Sequence, residues 1–233
     1  MAGKHSKRYR DIAKGVNREQ THGVAEALEL VKSLANAKFD ESIEVHIKLG
    51  ADPAKGDQQV RGTIVLPHGT GKTIRVAVFA EGEHAAAAQA AGADRVGGED
   101  LVQAIDEGWG DFDILVAHPS MMRVVGRLGK KLGPRMPSKK AGNITDDVAA
   151  AVGELKAGRV EYRMDRTGVA HVSVGKVSFD NDKLLANFQV LMEAIVKARP
   201  AAVSGRFIRT VSMCSSMGPG VKLDVDAAVA KVA

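Results

Sequence analysis

Gly71-Lys72-Thr73 has the residues that end a phosphate-binding loop. In such a loop glycine amides and a lysine cradle phosphate, and a further glycine stands five positions before the one that precedes the lysine. That position is Leu66. A helix should also follow, because its free amides hold the anion. Here Ile74 to Phe79 reads as a strand. Two apolar strands, Val60–Leu66 and 74–79, are parted by Pro67, His68, Gly69 and Gly71. Proline stops a ladder and glycine opens unusual backbone angles, so the stretch reads as a hinge.

Other chemistry is sparse. The seven histidines are His5, His22, His46, His68, His84, His118 and His171. None lies at metal-ligand spacing from another or from Cys214, so no metal is expected. No Gly-x-Ser-x-Gly nucleophile motif occurs. Cys214 has no basic neighbour in sequence and reads as structural, and His118-Pro119 as a turn. No catalytic residues and no cofactor are expected, and the chain reads as a non-enzyme. Two stretches can meet a polyanion. The loop 129–142 carries Lys130, Lys131, Arg135, Lys139 and Lys140 without an acid. Ser42, Glu44, His46 and Lys48 form the wet row of a strand whose other row is Ile43, Val45, Ile47 and Leu49. Hydroxyls and cations in such a row suit RNA, where 2′-hydroxyls and phosphates are the targets.

Composition sets bounds on this. The chain of 233 residues is 45% hydrophobic, enough for a core of one or two domains. No apolar run reaches the ~20 residues of a membrane span. One cysteine and an N-terminus without an apolar core lead us to expect a reducing, cytoplasmic setting. Residues 67–159 hold twelve bases and twelve acids, so the net charge of +5 belongs to the flanks. Lys4, Lys7, Arg8 and Arg10 supply most of that excess from a basic arm. At 4% aromatic, the chain has few rings for stacking single-stranded bases.

The elements that must position these residues fall into two patterns. Before position 67, a helix carries Val24, Leu28, Val31 and Leu34, with Thr21 as its N-cap, followed by the strand 42–49 and a buried strand Val60–Leu66. After 159, Val160–Met164 and Val169–Val174 read as a hairpin. A helix follows with Leu184, Phe188, Leu191 and Ile195, then a strand Phe207–Met213 and a last strand with Val221, Leu223 and Val225. Neither flank alone has enough strands to bury its face, so the two should join in one α+β domain. Between them, strands at 74–79, 95–96 and 113–117 alternate with helices near 81–91, 99–107, 121–128 and 146–156, the last capped by Thr145. That alternation predicts a parallel, doubly wound sheet. The fold class is α/β: a discontinuous domain 1–67 with 159–233, and an inserted domain 68–158. Gly158 and Arg159 complete the hinge.

Several stretches resemble the bacterial large-subunit ribosomal protein L-one family, the stalk protein. They are residues 38–45, 57–63, 66–72, 92–98, 111–113 and 132–135, and Ser216-Met217-Gly218-Pro219. The resemblance implies a Rossmann-like inserted domain and an RNA-binding first domain. It implies binding to the large-subunit rRNA stalk, contact with exit-site tRNA whose release it assists, and repression of its own mRNA through the leader. It implies a monomer within the ribosome and no membrane partner. RNA contacts fall by motif on Phe39, Ser42, Glu44, Lys48, His171, Ser173, Lys176, Thr210, Ser216, Met217 and Gly218. The basic loop is shorter than the family's usual form and carries an extra cation. A nucleotide-binding enzyme built on residues 73–158 is the alternative, and the missing fingerprint glycines speak against it.

Overall fold

A computed structural model describes residues 6–17 and 19–230. The chain divides into two compact units, Met1–Gly71 with Val160–Ala233, and Lys72–Arg159. The division falls at 71/72 and 159/160, whereas the sequence pattern placed it at 67/68 and 158/159. Lys4 and His5 lie outside the described residues.

In the first flank, helix α1 (Lys7–Ala13) is capped by the Ser6 hydroxyl, which accepts from the Tyr9 amide at 3.3 Å. Thr21, expected as a helix cap, lies instead in a short strand β1 (Thr21–His22), and Gly23 caps α2 (Val24–Leu34). The backbone of Thr21 and His22 is used in a ladder, which removes Thr21 from the cap position. Strand β2 (Ser42–Leu49) follows the expected alternation, with Ile43, Val45, Ile47 and Leu49 at most 1% exposed. Strand β3 (Arg61–Val65) is not the buried strand expected. It pairs only with β7 (Arg159–Arg163), and Val65 is 40% exposed.

The second unit holds β4 (Val76–Phe79), α3 (Gly82–Ala90), β5 (Arg95–Gly97), α4 (Glu99–Asp106), β6 (Ile114–Ala117), α5 (Met122–Val125), α6 (Gly129–Leu132) and α7 (Val148–Ala157). Its parallel sheet has the order β5-β4-β6. All four residues of β4 are buried, as a strand covered on both faces must be. Ala77 and Phe79 pack with α4 and α5 residues such as Leu101, Ile105 and Val125, while Val76 and Val78 pack with Ala88, Val148 and Val152 from α3 and α7. These are the three layers of a doubly wound fold. The single helix expected over 121–128 is broken into 3₁₀ turns on either side of α5. Asp147 rather than Thr145 caps α7, its carboxylate accepting from the Ala150 amide at 2.9 Å.

After β7 the chain forms β8 (Val169–Lys176), α8 (Asn181–Lys197), β9 (Ile208–Ser215), β10 (Val221–Leu223) and α9 (Val225–Ala230). The expected hairpin of β7 with β8 reduces to one bridge, Met164 to Ala170. Beyond the turn the strands part, β7 to β3 and β8 to β2. Val225 opens a helix rather than extending β10, because the Asp224 carboxylate accepts from the Asp226 amide at 3.0 Å and turns the chain. The main sheet has the order β1-β10-β9-β2-β8. It interleaves strands from both flanks, with β2 antiparallel between β9 and β8. Leu28 and Val31 of α2 and Leu184, Phe188, Leu191 and Ile195 of α8 join the core on its inner face. The outer face is left for β2's polar row.

Candidate nucleic-acid interface

Cross-strand register builds the outer face from that polar row. Lys48 stands opposite Thr210 on β9, His46 between Ser212 on β9 and His171 on β8, and Glu44 between Cys214 and Ser173. Ser42 pairs with Lys176 at the ladder's end. Thr210 and His171 are exposed and Glu44, His46 and Lys48 half-buried. The Ser173 hydroxyl is buried without a hydrogen-bond partner among the described residues. Lys48 donates to the Thr167 carbonyl, and Lys176 to the Asp40 carbonyl at 3.1 Å. Ser42 is only 8% exposed, the least open of the row.

One rim of the face is built around Glu41. One carboxylate oxygen accepts from the Ala37 amide and the other from the Met217 amide, both at 2.9 Å. Burial would raise this carboxyl's pKa. The amides of Ala37 and Met217, with Arg8 nearby, outweigh that and hold it below the usual value. Ser216 closes the same junction: its amide donates to the Ser42 carbonyl at 2.9 Å and its hydroxyl accepts from the Ser42 amide at 3.1 Å. Arg8 of α1 donates to the Met217 carbonyl at 2.8 Å and to Asn36 at 2.6 Å. Part of the basic arm therefore braces the rim. The segment 36–42 and the turn 215–218 are stapled together, and the staple presents Phe39, 57% exposed, and Met217, 49% exposed. Elsewhere among the described residues only Val65 and Val196 are large apolar side chains so exposed. At Gly218 an added Cβ would sit 2.5 Å from the Ser215 hydroxyl.

Nothing in the sequence marked Glu41 and Arg8 as site builders. An acid beside a fault-free strand was the one available clue to Glu41. It also offered no pairing for His46, which the fold supplies. His46 Nδ1 is 2.7 Å from His171 Nδ1, and His46 Nε2 is 3.1 Å from Cys214 Sγ. Metal-ligand spacing in sequence misses such groups because register joins them across three strands. Burial, then Glu44 and Glu41, push the Cys214 thiol up to about 11. Burial, then His171, lower His46.

The hinge residues belong to one unit or the other. Asn187, wholly buried in α8, accepts from the His68 amide at 3.1 Å and donates to the carbonyls of Gly69 at 2.9 Å and Val174 at 2.8 Å. Gly71 has φ +71°, and a Cβ there would press on Lys176 and Phe179. Pro67 to Gly71 are thus fastened to the first unit. Gly158, at φ +105°, ends α7, and Arg159 donates to Asn143 at 2.6 Å and Glu154 at 3.3 Å within the second. In the basic loop, Lys131 pairs with Asp106 at 2.6 Å and Arg135 lies 4.6 Å over the Phe112 ring. Lys130 and Lys139 are exposed. At Gly97-Gly98, where a dinucleotide phosphate would need open amides, the carboxylates of Asp100 and Glu81 approach within 2.8 and 2.7 Å of an added Cβ.

The first unit thus offers a broad polar face with an apolar rim, the form of a macromolecule-binding protein rather than of a pocket enzyme. The model of the Ribosomal protein L1p/L10e family matches residues 31–219. The chain belongs to that family. It is a structural, non-enzymatic protein of the ribosome that binds large-subunit rRNA. Among the described residues no helix is long and apolar enough to cross a membrane.

Proposed function

We propose that this chain forms the mobile side stalk of the large subunit and grips a structured rRNA region with the outer face of its main sheet. It works in the cytoplasm as a monomer within the ribosome, assists the release of deacylated tRNA from the exit site, and represses its own mRNA through an RNA shape like the rRNA site. The observation that carries the RNA reading is the rim. Phe39 and Met217 stand exposed on a frame that Glu41, Ser216 and Arg8 hold rigid. A rigid apolar pair beside hydroxyls and cations suits sugars and base edges, with Glu44 accepting from a base amine or a 2′-OH.

The reading assigns RNA affinity to the first unit. Residues 1–71 joined by a short linker to 160–233 fold alone and keep most affinity for the isolated stalk RNA. The piece must end at 71 rather than 66, because Asn187 otherwise loses the His68 amide and the Gly69 carbonyl. Circular dichroism and a gel-shift check this. An unfolded product, or a loss beyond ~100-fold (about 2.7 kcal/mol), would count against the assignment. A gel-shift with the mRNA leader decides the repression proposal, and native-like affinity is the expected result.

A further inference from the structure

We propose that Glu44, His46 and Cys214 form a binding site for one zinc ion on the outer face of the main sheet. Glu44 and His46 are two apart on β2 and so share a face, and Cys214 is Glu44's cross-strand partner on β9. One ligand atom from each lies within 4.8 Å of the others. Zinc bonds of about 2.3 Å to sulfur and about 2.0 Å to nitrogen place tetrahedral ligands about 3.5 Å apart. The 3.1 Å between His46 Nε2 and Cys214 Sγ is close to that edge.

A second row of side chains stands behind His46. His171 Nδ1 lies 2.7 Å from His46 Nδ1, and His171 Nε2 lies 3.4 Å from Asp165. Asp165 is itself held by the Val169 amide and the Thr167 hydroxyl, both at 2.8 Å. His46 Nε2 faces the thiol. Metal sites commonly place a carboxylate or another polar group behind a ligand histidine, where it orients the ring. One thiolate, one imidazole and one carboxylate suit zinc, with the fourth corner left to water. On binding, the S–H bond breaks, a zinc–sulfur bond forms and the proton leaves to solvent. No electron is transferred.

Cobalt(II), titrated into the full-length protein without RNA, tests this apart from the RNA reading. One equivalent should produce a thiolate-to-cobalt charge-transfer band that excess zinc removes. Cys214→Ser should abolish the band, and His46→Gln and Glu44→Gln should each weaken cobalt binding at least ~10-fold. Circular dichroism confirms that each variant is folded. Absence of the band in the native chain overturns the site whatever the variants do. So does a band that keeps its affinity in His46→Gln, which would mark a thiol binding alone.

Discussion

Met217→Asp should weaken binding to the isolated stalk RNA by at least ~2 kcal/mol, roughly 30-fold, the scale of an interface hot spot. Met217 is 49% exposed, so the folded protein loses little packing. The new carboxylate would stand on the same turn whose backbone amide already points at Glu41, and in the complex it would face phosphates. Filter binding at one fixed salt concentration measures the effect, since phosphate contacts make affinity salt-dependent. Changing Lys139 and Lys140 to Ala should cost far less on the same RNA, because these residues belong to the other unit. If the lysine pair proves as damaging as Met217→Asp, the RNA site has been placed on the wrong unit.

The largest expected effect on stability is Asn187→Leu. The substitution keeps volume but removes one acceptor and two donated bonds at a wholly buried position. A buried polar group left without its partner costs about 1–3 kcal/mol. Three such groups, the His68 amide and the carbonyls of Gly69 and Val174, put the loss at roughly 3 kcal/mol or more, as for other broken buried networks. The melting temperature should fall by about 10 °C, at roughly 2–4 °C per kcal/mol for a chain of this size. A shift under about 2 °C would mean that water replaces Asn187 and that the segment 67–71 is not fastened as described.

What the sequence revealed and what it hid follow from the range of the interactions. The unbroken alternation of β2 identified both its faces, and Leu184, Phe188, Leu191 and Ile195 marked the buried stripe of α8. These are local periodicities, set by the pleat and the helical turn. Partner choice among strands is not local. The turn at Asp165 suggested a hairpin, yet β7 and β8 join different sheets. The rim depends on Glu41 reaching Met217, 176 positions away, and the proposed metal ligands His46 and Cys214 are 168 apart. No spacing rule spans such distances. Asn187 is a polar residue among the apolar positions of α8, and only the fold shows that it holds the segment 68–69.

Ultraviolet crosslinking of the full-length protein to the large-subunit stalk RNA, with the crosslinked peptides read by mass spectrometry, tests the central claim most directly. Crosslinks should fall on Phe39 and the strand 42–48, on 171–176, and on the stretch 210–218. Crosslinks confined to residues 72–159, with none on Phe39 or Met217, would contradict it.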